Sequence, residues 1–466
     1  MRRRLVTIAF VLGAAFVAAP ATFVAAPATP LDAFQGTDAA SAISAFDVNG
    51  LQVIVKRRMS SPTVSGGLFL RGGSRNITAA NAGIEALMLD AATEASTALS
   101  RDRVRRELSR TGTVIGSAVD RDYSAFTLGC TRRYFDSAWT LFADLAMHPS
   151  FAPDDVQRVK ERQLVALQGE QDSPDAYLQD LQARVIYTGH PYANNPDGTV
   201  DSVAKLGVDD LKRYHQNAMQ TSRLLLVLVG DLDPQDVRRK VEATIGTLPR
   251  GRYAPAPVAA LSFSAPTVSV TAKSLPTHYI QGVYAAPSLT STDIYPMRVA
   301  TSILRDRIFE EVRFKRALSY APDASLGNQA ANIGSIYATA EDANQTVRVM
   351  LGEIAKLRSN EVSVDEIQAT AQEFLTDYYL GQETNAAQAG TLARAEIVGG
   401  GWRTSLDFLN RVRAVTPMDV RRVAQTYMKN LQFVVLGDPT GIDKDLFLQP
   451  IRISVENDPF RSLVTN

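Results

Sequence analysis

The sequence predicts an α+β protein of two homologous α/β sandwich domains, an internal duplication in which each half is a mainly antiparallel sheet with long helices packed on one face. Three observations predict it. Short apolar runs are interleaved with longer stretches whose apolar residues recur every three or four positions, the patterns of strands and of amphipathic helices. The phrase LLLVLVGDLDP returns as FVVLGDPTGID, with Gly437 standing 207 residues after Gly230, so two halves of equal size close alike. Between them LPRGRYAPAPVAALSFSAP (248–266), rich in proline and alanine, makes a natural linker.

In chain order, MRRRLVTIAFVLGAAFVAAP sets three arginines before small and apolar residues, with alanine-rich cleavage sites around Ala19 to Ala26. That is the pattern of a secretory signal, assigned to residues 1–26, and it directs the chain to the periplasm. An uncleaved anchor is the alternative, since no charge falls between Leu5 and Leu31, although Pro20, Pro27 and Pro30 make the second part of the run a poor helix. Membrane contact is therefore expected only through the leader, if it is retained.

The N-terminal domain is set at 40–247. ISAFDVNGLQVIVKRR and SPTVSGGLFLRGG read as strands, with a turn at Asn49-Gly50 and a loop near Ser60, Ser61 and Pro62. Helical periodicity runs over 83–98, 135–147, 154–170 and 176–187. The fully apolar LLLVLVG is a strand, and Asp233 with Pro234 forms an N-cap and first-turn pair for the helix that follows. The C-terminal domain, 267–450, repeats the plan. Its strand HYIQGVYAA precedes helices over 292–312 and 343–358, strands SYAPDASLG and GSIYATA lie between those helices, and two more helices cover 362–380 and 384–397.

With 49 basic and 49 acidic residues the chain has no net charge, which argues against a nucleic-acid surface. The single cysteine, Cys130, cannot pair within the chain and sits among apolar neighbours in TLGC, as a buried small hydrophobe does. Gly399 to Gly401 end a helix before Trp402 and are not a phosphate cradle, since no phosphate-binding pattern follows.

Six phrases, GLFLRGGSRN, AGIEALMLDAATEAST, GHPYANNPDGT, LLLVLVGDLDP, IFEEVRFKRALSY and the terminal VVLGD, occur in an order that resembles the insulinase/pitrilysin superfamily of metallopeptidases. The likeness is to its smaller bacterial and mitochondrial-processing-peptidase-like members and covers residues 42 to 445. The family's catalytic half carries H-x-x-E-H on a helix, because residues i and i+4 face one way and zinc takes imidazole and carboxylate with a position open for water. In the register set by Gly83 those positions hold Ala86, Leu89 and Asp90, and the second glutamate, expected between Val165 and Gln168, is missing too. The packing residues Ile84, Leu87, Met88 and Ala91 remain, as in a helix kept for its shape. His148, His190, His215 and His278 lie far apart, and Glu85, Asp90 and Glu94 are expected on a solvated helix face.

In IFEEVRFKRALSYAPDAS the segment resembles one in which the family places an arginine and a tyrosine seven positions apart, here Arg313 and Tyr320. The resemblance implies that both reach a partner's zinc site and donate hydrogen bonds to the substrate carbonyl that becomes the oxyanion. Alternatively Arg313 belongs to a basic helix face with Lys315 and Arg316, and Tyr320 merely starts a strand. Two departures from the family stand here: ATSILRDR replaces the glycine-rich loop, and Ala317 stands where glycine is common.

The resemblance thus implies a non-catalytic subunit of a heterodimeric periplasmic zinc peptidase, inactive alone, with no cofactor of its own. Zinc would reside in a homologous H-x-x-E-H partner, and peptides or unfolded segments would be the substrate. A catalytically inert peptide-binding or scaffold protein of the same fold is the second expectation, and an enzyme with an unrecognised site the third.

Overall fold

A computed structural model describes residues 42–451, so the leader expectation lies outside the described residues. Within them the chain forms two sheets. Strands β1 (Ile43–Val48), β2 (Leu51–Arg57), β3 (Thr63–Arg71), β4 (Val114–Val119), β5 (Tyr123–Thr131) and β6 (Leu224–Gly230) make the first, in the order β1-β2-β6-β3-β5-β4. Strands β7 (Thr267–Ala272), β8 (His278–Ala285), β9 (Asp323–Leu326), β10 (Ile333–Ala340) and β11 (Gln432–Gly437) make the second, in the order β7-β11-β8-β10-β9.

The duplication is explicit in the pairing. In the first sheet β2 runs parallel to β6 and the remaining pairs are antiparallel; in the second β7 runs parallel to β11 and the rest are antiparallel. Taking β2 as the counterpart of β7, the two sheets correspond strand for strand in order and direction, with β1 as an addition on the first. Gly230 and Gly437 end the equivalent strands with φ of +156° and +155°. Each needs to be glycine, since a Cβ on Gly230 would meet the Thr63 carbonyl at 2.9 Å and one on Gly437 would meet His278 Cδ2 at 2.8 Å.

The first-half helices are α1 (Ile84–Ala92), α2 (Arg101–Thr111), α3 (Phe135–Met147), α4 (Pro153–Gly169), α5 (Pro174–Ile186), α6 (Val200–Lys205), α7 (Val208–Ala218) and α8 (Pro234–Glu242). The second half has α9 (Ile294–Ile308), α10 (Ala343–Ser359), α11 (Val364–Gly381), α12 (Asn385–Ile397), α13 (Phe408–Arg413), α14 (Pro417–Tyr427) and α15 (Lys444–Leu448). Asp233 caps α8 as expected, its carboxylate accepting from Gln235 N at 2.8 Å. Among the described residues no helix is long and apolar enough to cross a membrane.

Two expectations are corrected. The helix predicted over 83–98 stops at Ala92, because the next residues pair with the chain leaving α3: Thr97 N donates to His148 O at 2.8 Å and Ser150 N to Ala95 O at 3.0 Å. The second correction concerns the layers. One face of the first sheet packs on helices of its own half, with Leu224, Leu226 and Leu228 of β6 in that core. The other face carries Ile54, Phe69, Leu225, Val227 and Val229, and it is covered by Ala389, Leu392 and Ala393 of α12, a helix of the other half. The second sheet receives the reciprocal helix: Leu178 of α5 lies on Val434 and Leu436 of β11, and Ile186 of the same helix lies with Val283 of β8. Helices therefore cover both faces, and each half lends the other one of them. This exchange explains why β6 is apolar at every position, since a strand buried on both faces has no solvent side to mark with polar residues.

Candidate functional site

Helix α1 starts at Gly83, whose φ of +87° matches that of Gly198 across the contact. The two backbones nearly touch: a Cβ on Gly83 would lie 2.9 Å from Asp197 O and 3.0 Å from Gly198 Cα. Ser202 Oγ donates to Ala82 O at 2.8 Å and Gln163 Nε2 to Asp197 O at 2.8 Å, so the phrases AGIEAL and NPDGT form one packed unit at the head of α1.

On this helix Ile84, Leu87, Met88 and Ala91 are buried. Of the motif positions, Leu89 is buried against a small apolar void lined by Leu68, Leu70, Phe126 and Met219, while Ala86 and Asp90 are half-buried. Alanine and leucine present no lone pair to a metal, so the set does not fit zinc. On α4, where a further carboxylate was sought, Leu167 is buried and Val165, Ala166 and Gln168 are exposed. Among the described residues no three His, Cys, Asp or Glu side chains lie together in a way that could hold a metal ion. Cys130 is buried in β5, and burial pushes its thiol up to about 11, which suits an inert hydrophobe.

The expectation of a solvated acidic helix face fails for two of the three residues, Glu85 on α1 and Glu94 just beyond its end. Glu85 is buried and ion-paired to the equally buried Arg223, with Tyr214 Oη donating to it at 2.7 Å. Glu94 is buried under arginines: Arg101 Nε donates at 2.6 Å, with Arg162 at 3.6 Å and Arg105 at 3.9 Å. Burial works against the Glu94 charge, but the Arg101 hydrogen bond and the surrounding guanidinium groups outweigh it and hold the carboxyl below its usual range. Asp90 is half-exposed as expected, accepts from Ser117 Oγ of edge strand β4, and lies 4.0 Å from Arg162. The carboxylates left on α1 are thus neutralised by arginines of the protein itself.

The second-half pair is built differently. Helix α9 runs on into a π-helical turn, Phe309–Phe314, in which Lys315 N bonds Glu310 O at 3.0 Å. Wide turns of this kind are rare, appear mostly as single turns within α-helices and are frequent at functional sites. Here Val312 stays buried while Arg313 lies with its Cζ 4.2 Å from the centre of the Tyr320 ring and 4.9 Å from that of Phe309. Lys315 and Arg316 are both held by Glu311, whereas Arg313 has no carboxylate partner among the described residues. Tyr320 is 77% exposed and stands in a loop, since β9 begins only at Asp323. The structure therefore brings Arg313 and Tyr320 into one stack and separates Arg313 from the basic pair beside it.

Ala317, between them, has φ of +51°, a left-handed conformation that costs a side chain about 1–2 kcal/mol. Ala317→Gly is expected to raise unfolding stability by about 0.5–1 kcal/mol once glycine's extra unfolded-state freedom is deducted. A urea midpoint that falls instead would show that the turn is not strained.

Between the halves lies a cavity of about 820 Å³ whose lining includes Arg121, Tyr187, Gln281, Ser325 and Asn328. Near it the halves are joined through Asp122, a buried residue that no sequence motif marks. The Asp122 carboxylate accepts from Tyr192 Oη and, across the halves, from Ala330 N at 2.9 Å; Ala331 N donates to Tyr192 Oη at 3.3 Å. Burial pushes the Asp122 carboxyl above its usual range in spite of those bonds. Strands β4 and β9 are the outer strands of their sheets.

Comparison with known proteins agrees with this anatomy. The family profile described as insulinase (peptidase family M16) matches residues 52–197, and that described as the peptidase M16 inactive domain matches residues 205–374; together they span more than half of the chain. An uncharacterized zinc protease of Streptomyces coelicolor is 22% identical over 389 residues, covering 81% of this chain and 85% of that one. A non-peptidase homologue from Helicobacter pylori is 28% identical over 126 residues, 27% of this chain and 29% of that one. The crystal structure of a peptidase M16 inactive domain from Pseudomonas fluorescens has the same fold, with a TM-score of 0.78 at 18% identity over 85% of this chain and 98% of that one.

Proposed function

The chain belongs to the insulinase family of peptidases, family M16, and from that membership we propose that it is the non-catalytic subunit of a heterodimeric, periplasmic zinc peptidase that cleaves peptides or unfolded protein segments. Its partner is a homologous chain that carries H-x-x-E-H and holds the zinc. The observation that carries the reading is the Arg313–Tyr320 stack. An arginine with no acidic partner among the described residues lies on a tyrosine that is 77% exposed, in a chain whose own motif positions, Ala86, Leu89 and Asp90, lack the zinc-binding set. An unpaired guanidinium and a free phenol are donors awaiting an acceptor, and a substrate carbonyl gathering negative charge in a partner's site is a suitable one. In this reading the peptide lies in the chamber between the halves and adds as a strand to an exposed sheet edge.

The second reading is a catalytically inert peptide-binding or scaffold protein. It draws support from the arginine-neutralised face of α1 and from the likeness to a non-peptidase homologue over a quarter of the chain.

The test is to tag the chain, recover it from its native cell envelope, identify what co-purifies, and assay peptide hydrolysis with and without a chelator. Co-purification of an H-x-x-E-H chain with chelator-sensitive cleavage is the expected result. An inert eluate without such a chain sinks the subunit reading and leaves the scaffold.

A further inference from the structure

A second cavity, of about 490 Å³, opens between α9, α11, α12 and α13. Its size falls in the ~300–1,000 Å³ range of ligand pockets. Asn328 and Arg394 line both this cleft and the chamber between the halves, so the two adjoin at these residues. The walls are aromatic: Tyr378 stacks on Phe408 at 6.2 Å between centroids, and Tyr295 stands 6.3 Å from Phe408.

Two guanidinium groups meet at this cleft on a single residue. Arg298 of α9 donates to Asn328 Oδ1 at 2.8 Å, and Arg394 of α12 donates to Asn328 O at 3.0 Å. Arg394 has Asp120 at 3.7 Å, but Arg298 has no carboxylate within ion-pairing distance among the described residues. Burial, together with the like charge of Arg394, holds the Arg298 guanidinium below the usual arginine range. Asp377 is the acidic residue lining the cleft, and it is exposed at the rim. A half-buried cation next to another cation, without a counter-charge, is costly unless an anion completes the site.

We propose that this cleft anchors the C-terminal carboxylate of a peptide lying in the chamber, with Arg298 and Arg394 on the carboxylate and the last side chain, aromatic or large aliphatic, against Tyr295, Tyr378 and Phe408. The proposal rests on the reading that the chamber takes peptides. A phosphate would meet the same two arginines but leave the aromatic walls bare. A carboxylate one bond from an apolar side chain uses both, and an arginine pairs with it through two parallel hydrogen bonds.

The isolated full chain and a fluorescein-labelled decapeptide ending in phenylalanine, as free acid and as C-terminal amide, provide the test by fluorescence anisotropy. The free acid is expected to bind about ten-fold more tightly, the size of one charge-assisted contact. Arg298→Met is expected to abolish the preference. The acid-to-amide ratio on the unaltered chain decides without any variant, so a poorly folded substitution cannot blur the result. Equal affinities, or a preference that survives Arg298→Met in a folded protein, overturn the subsite alone. Failure of both peptides to bind overturns the subsite and the peptide chamber together. Inorganic phosphate that competes more strongly than the free-acid peptide assigns the arginines to phosphate and overturns the proposal as well.

Discussion

Replacing Tyr320 by phenylalanine is expected to lower the turnover of the reconstituted two-chain peptidase by about 100-fold or more, with little change in KM, because removing one preorganised donor to an oxyanion costs about 2.7–4 kcal/mol in the transition state. The substitution is clean. Phenylalanine keeps the ring on which Arg313 stacks at 4.2 Å and removes only the hydroxyl. With 77% of Tyr320 exposed, the unfolding midpoint should move by no more than surface substitutions usually do, within about 0.5 kcal/mol. Arg313→Ala is expected to cost at least as much, and Arg313→Lys to recover little, since lysine is a point charge without the planar fork that stacks and donates twice. The loss should fall on kcat, because the donors act on charge that exists only in the transition state. Unchanged turnover in both Tyr320→Phe and Arg313→Ala would remove these residues from the chemistry and favour the scaffold reading.

The residues that made this site legible differ from those that hid parts of it. Ala86, Leu89 and Asp90 announce the loss of zinc chemistry directly, since no packing argument turns alanine or leucine into a ligand. The duplication was legible because each half closes on an apolar strand, Gly-Asp and a proline turn, a phrase kept in part by the close approach that requires glycine at Gly230 and Gly437. The exchange of α5 and α12 between halves was not, because helical periodicity says that a helix has an apolar face but not which sheet receives it. A clue was present even so, in six consecutive apolar side chains of β6, closed by Gly230, that left no solvent side. Glu85 was misread for a related reason. A lone glutamate on an amphipathic helix looks solvated until its partner is known, and Arg223 lies 138 positions away. Arg298 and Arg394 had no motif to mark them, and only the fold sets both on Asn328.

The largest effect on stability is expected at the buried Glu85–Arg223 pair. Arg223→Met should cost about 3–5 kcal/mol, because it strands the Glu85 carboxylate in the core; the reverse change, Glu85→Met, strands the guanidinium instead. Arg223 also donates from Nε to Arg71 O at 3.0 Å and lies 5.5 Å from the Tyr253 ring, so a methionine loses those contacts too. Burial, and secondly the Glu85 charge, push the Tyr214 hydroxyl far above the usual tyrosine range, so it stays a donor to Glu85 through the ordinary pH range. One Glu85 oxygen, Oε1, has no hydrogen-bond partner among the described residues, which means the pair is not ideally satisfied. The double variant Glu85→Met/Arg223→Met is therefore expected to recover most of what either single change loses, and a urea-unfolding double-mutant cycle measures the difference. If Arg223→Met costs less than about 1 kcal/mol, the pair does not hold α1 in place. A large single-variant cost with recovery in the double would show that the cost is that of a stranded charge and that the apolar face of α1, not the pair, supplies the net stability holding the helix. Glu85 ties the helix to the loop before β6, and Asp90 ties it to edge strand β4 through Ser117, so its polar residues anchor it to the first sheet at two places.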